Sequence, residues 1–323
     1  MYTLAITSIG GGLGANLAKT LGESRHKDLR ILGIDQHKEV KAKAFLDIYE
    51  RVPPGKNNLY FKKIKKIVKK YNVKLIIPGS DEEALTLSKN IAAIKKLKCN
   101  LASVSFKKLK ILSDKIKTYK FLKKSNIPVP KFEEIRSLSG LKKWIKKNKT
   151  RNFVIKPSIS RGGRNVFVIS SSIKKIIKLN EGRELHIPFN KFSIKLINPL
   201  KNLFPLVVME KLNKPTYDID ILAYKGKALR IVTRKRLNPT VPNDGHIILN
   251  SRKLRKIAKK IISSLSLSWL YDFDCMKDKN GNFKVIEINP RMSGSVSVPI
   301  EAGIPLLDDL ISLVRSKRLE KEK

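Results

Sequence analysis

Short apolar runs alternate with helix-periodic segments through the first third of this chain, and that alternation leaves few folds open to it. Tyr2–Ile9 is an apolar run ending in Gly10-Gly11-Gly12-Leu13-Gly14, and Ala15–Leu21 follows with helical spacing. Arg30–Asp35 (RILGID) reads as a second buried strand. Tyr60, Ile64, Ile67, Val68 and Tyr71 recur as one helix face, with Asn72 as its C-cap. A third strand at Leu75–Pro78 and a helix over Glu82–Lys89 complete the stretch. Strands separated by helices pair in parallel and bury both faces, which predicts a Rossmann-like sheet with helices on either side.

The pattern changes near Ser113. A helix over Lys115–Ser125 is stopped by Asn126 and Pro128-Val129-Pro130. The strand Phe153–Lys156, a polar glycine loop at Ser158–Asn165 and the strand Val166–Ser170 follow, whereas Leu179–Phe204 has no periodicity that places it. Strands then dominate: Leu206–Met209, Tyr217–Tyr224, Ala228–Thr233, Tyr271–Met276 and Phe283–Ile288. Gly226 and Asn280-Gly281 mark hairpin turns, Leu254–Leu265 and Leu306–Val314 read as helices, and Arg315–Lys323 is a charged tail. The expected class is α/β with an α+β C-terminal part.

Bulk properties exclude several classes. At 323 residues and 41% hydrophobic content the chain can bury more than one core. No apolar run approaches the roughly 18–20 residues of a membrane span. Met1–Ile6 lacks a basic leader and reads as a strand, so the expected location is the cytoplasm. Cys99, Cys275 and four scattered histidines offer no zinc spacing. The net charge of +42 would attract polyanions. Yet the lysines are spread along the chain and on polar helix faces such as Lys62, Lys63, Lys65, Lys66, Lys69 and Lys70, and no nucleic-acid module is present.

The residues able to carry chemistry lie mainly in the C-terminal half. Asp274 and Glu287 stand on successive strands across the Asn280-Gly281 turn, thirteen positions apart. A hairpin pairs positions of constant sum, so an odd separation can set both carboxylates opposite each other, and Asn289 then points the same way. Two carboxylates and an amide oxygen suit Mg²⁺ (or Mn²⁺), and Arg291 beyond them suits a phosphate or carboxylate. Lys156 ends a strand just before the loop holding Gly162 and Gly163, a workable phosphate clamp although no Walker A sequence is present. Val207–Leu212 begins apolar and turns polar, and could offer backbone groups to an adenine edge.

In chain order these pieces are Asp114-Lys115, Lys156 with its loop, Met209-Glu210-Lys211-Leu212, Asp218-Ile219-Asp220, Asp274, and Glu287-Ile288-Asn289-Pro290-Arg291. The set resembles the ATP-grasp superfamily, most of all its carbamoyl-phosphate-synthetase-like and carboxylate–amine ligase members, over roughly residues 109–313. The first strands and glycine loop resemble the preceding pre-ATP-grasp domain. The resemblance implies a pre-ATP-grasp domain at 1–108 and an ATP-grasp domain at 109–317. The latter would have a lid at about 115–205 and a C-terminal lobe at about 206–317, leaving a tail at 318–323. It implies that Lys115 and Lys156 hold ATP phosphates under a loop with Gly162 and Gly163, and that Glu210, Lys211 and Leu212 form the adenine hinge. Asp274, Glu287 and Asn289 would hold the metal, and Arg291 with Lys156 would serve catalysis. Where relatives carry an acid for the ribose this chain has Thr216, so Asp218 is the substitute expected there. The implied activity is Mg·ATP-dependent activation of a small carboxylate as an acyl phosphate, followed by attack of an amine. Neither a specific nucleic acid nor a membrane is expected as partner, and a homodimer is compatible with this reading.

Weaker readings stand beside it. Gly12, Asp81, Glu83, Arg234 and Arg236 are candidate substrate contacts. Gly10, Gly12 and Ala15, with Asp35 about twenty residues on, fit a short dinucleotide fingerprint and keep an NAD-dependent enzyme in view. The chain is also compatible with an ATP-binding protein that lacks ligase activity and with a polyanion-binding protein.

Overall fold

The N-terminal strands are β1 (Tyr2–Thr7), β2 (Leu29–Asp35), β3 (Ile48–Arg51), β4 (Val73–Ile77) and β5 (Asn100–Leu101). They form one parallel sheet in the order β3-β2-β1-β4-β5. The structure is a computed structural model and describes residues 1–11, 14–160, 163–179, 184–238 and 245–316. Helices α1 (Gly14–Gly22), α2 (Tyr60–Lys70), α3 (Asp81–Lys89), α4 (Ile91–Lys96) and α5 (Phe106–Leu112) connect or follow the strands. Both faces of the sheet are covered. Ala18 and Leu21 of α1 pack on Leu4 and Ile6, while Tyr60, Ile64 and Ile67 of α2 pack on the side of Ala5 and Ile34. The strand expected third in sequence is in fact the fourth, because the short β3 carries no apolar period of its own. The sheet order reverses between β1 and β4, and the loops after them open a crevice at their carboxyl ends. Gly79 closes that crevice tightly: a Cβ there would stand 2.0 Å from the Thr7 carbonyl oxygen.

After α6 (Lys115–Lys124) a second sheet is built from β6 (Phe132–Ile135), β7 (Phe153–Pro157), β8 (Val166–Ser170), β9 (Ile177–Leu179), β10 (Glu184–Pro188) and β11 (Leu206–Glu210). Helix α7 (Leu138–Lys147) covers it, and the order is β6-β11-β7-β8-β10-β9. The sequence predicts Leu206–Met209 as the start of the C-terminal lobe. Instead β11 lies between β6 and β7, antiparallel to both. Its residues explain the placement: Leu206 and Val208 face one core, Val207 and Met209 another, so only an interior position buries both faces. The unplaced stretch 179–204 contains β10 and two short 3₁₀ segments, Phe189–Lys191 and Ile194–Leu200. Proline and tight turns break up the apolar spacing there, although Ile197 and Leu200 are buried.

The third sheet is antiparallel and comprises β12 (Asn213–Tyr224), β13 (Lys227–Arg236), β14 (His246–Leu249), β15 (Trp269–Lys277) and β16 (Phe283–Asn289). Its order is β14-β13-β12-β15-β16. Leu254, Ala258, Ile261 and Ile262 of α8 (Arg252–Ser264) pack against Ile219, Ile221 and Phe273 on one face. After α9 (Ser297–Glu301), helix α10 (Leu306–Ser316) packs between this sheet (Leu222, Val232, Leu270) and the parallel sheet (Leu4, Ile6, Leu75). The charged tail at 318–323 lies outside the described residues. Among the described residues no helix is long and apolar enough to cross a membrane.

Helix α10 is also held by charge. Asp309, fully buried, accepts from Arg25 at 3.1 Å and from Arg230 Nε at 2.8 Å, while Asp308 accepts from the Ser24 hydroxyl. Removing Asp309 takes one partner from each arginine, and both arginines, about one-third exposed, regain some water. Asp309→Ala should therefore lower unfolding stability by about 2–3 kcal/mol, toward the low end for such pairs. Urea denaturation measures this, and a loss below about 0.5 kcal/mol, as for an ordinary surface change, would show that the cluster does not couple the two sheets.

Candidate active site

The site takes shape at the β15–β16 hairpin. Asp278 and Asn282 close a three-residue loop, with the Asp278 amide donating to the Asn282 carbonyl at 2.9 Å. Continued outward, that register would pair Asp274 with Ile286 and turn Glu287 into the core. A bulge at Ile286 shifts the ladder by one residue, so that Asp274 opposes Glu287 and Asp272 opposes Asn289. Val285 and Ile288 stay buried on the α8 side, whereas Ile286, Glu287 and Asn289 line a cleft. On the other side of β15, Asp218 of β12 opposes Asp274 and Asp220 opposes Asp272. Two rows of polar side chains thus cross three strands in register.

Helix α6 and the second sheet bring cations to these rows. Asp114 caps α6 by accepting from the Ile116 and Lys117 amides at 3.0 and 3.2 Å, and it also accepts from the Ser158 hydroxyl. This holds Lys115 at the first helical position, where its Nζ donates to the Ser160 carbonyl at 2.7 Å and lies 3.0 Å from Glu287 Oε1. Lys156, on β7, is buried and donates to the Tyr119 hydroxyl at 3.0 Å. Burial drives the Lys156 ammonium below its usual range, opposed by Glu287 and Asp274. Burial acts to raise Glu287 as well, but Lys115 and Lys156 outweigh it and keep its carboxyl below the usual value. Asp274 goes the other way: burial, with Asp272 and Asp218 adding repulsion, pushes it well up against the pull of Arg236.

The cleft between the second, third and parallel sheets has a volume of about 1160 Å³. Val154, Val168, Met209, Leu212, Met276 and Ile286 form an apolar slot at one end. Thr7, Ser8 and Gly79 line the other end, at the switch-point crevice. Arg291 also lines the cleft, its Nε 3.5 Å from Asp81 Oδ1 and its Nη1 donating to the Met292 carbonyl at 2.8 Å. Lys115, Lys156, Gly163, Lys211, Arg236, Asp274, Glu287, Asn289 and Arg291 all line this one cleft. Gly12 and Gly162 lie outside the described residues.

Four candidates are employed elsewhere. Glu83 is 5% exposed, and its Oε2 accepts from Thr7 (2.6 Å), Ser8 (2.5 Å) and Ser80 (2.9 Å). It therefore ties the β1 and β4 loops together instead of meeting substrate. Arg234 is fully buried by Asp220 (2.7 Å), His246 (2.9 Å) and Ser295 (3.2 Å), which removes it from the substrate set. Asp218 has no exposed surface and is held by Arg236 in two hydrogen bonds, so its carboxylate is not free for a ribose; Thr216 lines the cleft instead. The Glu210 carboxylate accepts from the Lys131 amide at 2.8 Å through Oε1. Asp35 bears on the NAD-dependent reading. Its Oδ2 accepts from the Gly10 amide at 2.7 Å and its Oδ1 from the His37 amide at 3.0 Å, so the acid that would take a ribose hydroxyl is occupied by its own loops.

One further residue belongs to the site although the motifs do not single it out. Asp272 is buried, lines the cleft and accepts from Asn289 Nδ2 at 3.0 Å. Its position two before Asp274 on a strand, opposite Asn289 by the same constant-sum rule, is a usable signal in the sequence.

Comparison with known proteins agrees with this architecture. Residues 202–323 match the family described as "ATP-grasp in the biosynthetic pathway with Ter operon". A 226-residue stretch, 67% of the chain, is 25% identical to an uncharacterized protein of Methanocaldococcus jannaschii, and the match spans 50% of that relative's length. Among solved structures, biotin carboxylase from Campylobacter jejuni superposes with a TM-score of 0.72 at 14% identity, covering 99% of this chain and 72% of that one. N5-carboxyaminoimidazole synthetase from Staphylococcus aureus, complexed with ADP, gives 0.67 at 16% identity over 93% and 73%. L-amino acid ligase from Bacillus licheniformis gives 0.67 at 16% identity over 98% and 74%. These likenesses establish the fold.

The buried acids also set a pH dependence. Burial, with repulsion from Asp218 and Asp220, pushes Asp272 up from 3.8 to about 7, and burial pushes Asp220 up to about 6. A carboxyl raised on folding takes up a proton as the chain folds, so its stabilisation is full below the unfolded value and is lost as pH rises through the folded one. In metal-free protein, stability of the wild type relative to Asp272→Asn should therefore fall between pH 4 and 7, by roughly 2–4 kcal/mol in total. Denaturant melts at each pH test this, and a difference that does not change with pH would overturn it.

Proposed function

We propose that this ATP-grasp protein is a Mg·ATP-dependent ligase that activates a small carboxylate as an acyl phosphate and joins it to an amine. The observation that carries this reading is the Asp274–Glu287 pair, opposed across β15 and β16, meeting Lys115 and Lys156 from the lid in one cleft. The apolar slot supports a purine at one end, with hinge backbone at Lys211 and Leu212 beside it. Asp274, Glu287 and Asn289 present hard oxygen donors on one face, a set suited to Mg²⁺ or Mn²⁺ shared with phosphate oxygens. When bound, the ion would supply charge neutralisation along the phosphates.

In the proposed reaction a substrate carboxylate oxygen attacks the γ-phosphorus, the bond to ADP breaks, and an acyl phosphate forms. An amine nitrogen then attacks the acyl carbon, the bond to phosphate breaks, and the nitrogen releases a proton. Lys115 and Lys156 balance phosphate charge, and Arg291 contributes a guanidinium between the phosphate end and the switch-point crevice. No side chain need become covalently attached: the chain's work is orientation, charge stabilisation and exclusion of water. Glu83 supports the crevice end by fixing Thr7 and Ser8, which leaves that end for the acid. The proposed division is 1–108 and 109–317, with β11 moved from the C-terminal lobe into the lid.

The test is ADP release from ATP with carboxylic acids crossed against amines. A productive pair should give acid-dependent ADP release, and Glu287→Gln or Lys156→Met should reduce it by about 10²-fold or more. Unchanged turnover in Glu287→Gln would overturn the metal assignment. Mg·ATP should also raise the melting temperature while NAD does not. Stabilisation by ATP with no acid-dependent ADP release across the panel would favour nucleotide binding without ligation.

A further inference from the structure

Deeper in the cleft than Glu287, a second group of acids converges. Asp218, Asp272 and Asp274 each place a carboxylate oxygen so that all three atoms lie within 4.8 Å of one another. The residues are 0%, 4% and 9% exposed. Carboxylates this close and this dry repel one another strongly unless a proton or a cation lies among them. Part of that demand is met: Arg236 donates to Asp218 and, at 3.0 Å, to Asp274 Oδ1. Arg234 is committed to Asp220. Four aspartates, Asp218, Asp220, Asp272 and Asp274, thus face two guanidiniums and His246, whose Nδ1 lies 3.8 Å from Asp218 Oδ2, so a carboxyl that these partners do not match must hold a proton or a metal cation.

The imbalance is visible at one atom. Asp272 gives its Oδ2 to Asn289, but its Oδ1 is buried without a hydrogen-bond partner. An acceptor left in this way costs about 1–3 kcal/mol, more when it is charged. Asp272 borders the cleft, and its Oδ1 is covered by the surrounding side chains. Two oxygens coordinated to Mg²⁺ at 2.0–2.1 Å stand up to about 4.2 Å apart, and a larger ion at 2.3–2.6 Å spans about 5 Å. The 4.8 Å limit on the three oxygens falls within the span of the larger ion, whereas Mg²⁺ would draw them closer together.

We propose that Asp218, Asp272 and Asp274 form a divalent-cation site of their own, filled without nucleotide, and that Arg236 is the internal counter-ion competing with the metal for it. Asp274 is shared with the phosphate-side metal of the ligase reading, and the proposal rests on that reading only for the placement of the second ion. Arg236 is the member able to leave: its side chain is 20% exposed and borders the cleft, whereas that of Arg234 is completely enclosed. All three donors are carboxylates, which suits Mg²⁺, Mn²⁺ or Ca²⁺ and disfavours metals that select nitrogen or sulfur.

Mn²⁺ titration followed by electron paramagnetic resonance of the free ion, on the full chain without nucleotide, tests the assignment. The wild type should bind one Mn²⁺ per chain. Asp272→Asn should weaken this binding about tenfold or more, by removing a charged donor. Arg236→Gln should tighten it, a gain that a misfolded variant cannot imitate. Glu287→Gln should leave it within about twofold while abolishing ADP release. The site is overturned if neither wild type nor Arg236→Gln binds Mn²⁺ in the absence of nucleotide. It is also overturned if Asp272→Asn binds as the wild type does while Glu287→Gln does not bind. Absence of ADP release with every acid would count against the ligase reading and leave these measurements unaffected.

Discussion

A single-residue bulge sets the chemistry of this protein. Without the shift at Ile286, the three-residue loop at Lys279–Gly281 would send Glu287 and Asn289 into the apolar layer against α8, and Ile288 into the cleft. With it, every residue of β16 meets the environment its chemistry requires: Val285 and Ile288 are dry, Glu287 and Asn289 face the acids of β15. An apolar core on one side and a charged cleft on the other penalise the slipped register from both faces, which pins the bulge.

The cleft exists because three units converge on that hairpin. The second sheet contributes Lys156 from β7, and the Asp114 cap holds Lys115 at the start of α6. The parallel sheet contributes its switch-point loops, drawn together by three hydroxyls on one buried Glu83 oxygen. Helix α10, with one apolar surface on each of two sheets, holds the parallel sheet against the sheet that carries the acids. Arg291 and Asp81, 3.5 Å apart, meet where these units adjoin.

Much of this is legible in the chain. Periodicity places most helices and long strands, because an amphipathic face is a local property of sequence. The elements it does not reveal include the four-residue β3, the two-residue β5 and the proline-interrupted turns before β11, which lack such a face, and also α7, whose Leu141, Trp144 and Ile145 form one. The strand it assigns to the wrong unit is β11, whose two apolar faces suit the middle of any sheet and so do not say which. Among site residues, a charged side chain announces chemistry but not its partner. Glu83, Arg234, Asp218 and the Glu210 carboxylate all read as ligand contacts, and all are bonded within the fold. Asp272 escapes notice beside Asp274, although strand parity puts both on one face.

Sequence by itself determined the layered α/β class, the odd spacing of Asp274 and Glu287, and the chain order of the lysines and acids. These depend on near neighbours, on side-chain period and on chain order, all written along one dimension. Tertiary structure alone decided which carboxylates are spent on arginines and hydroxyls and which face the cleft. It also brought Arg236 between Asp218 and Asp274, from a strand 38 residues from the latter. That decision is not local: a buried charge takes whatever partner packing brings within a few ångströms, and packing is settled by the whole chain at once.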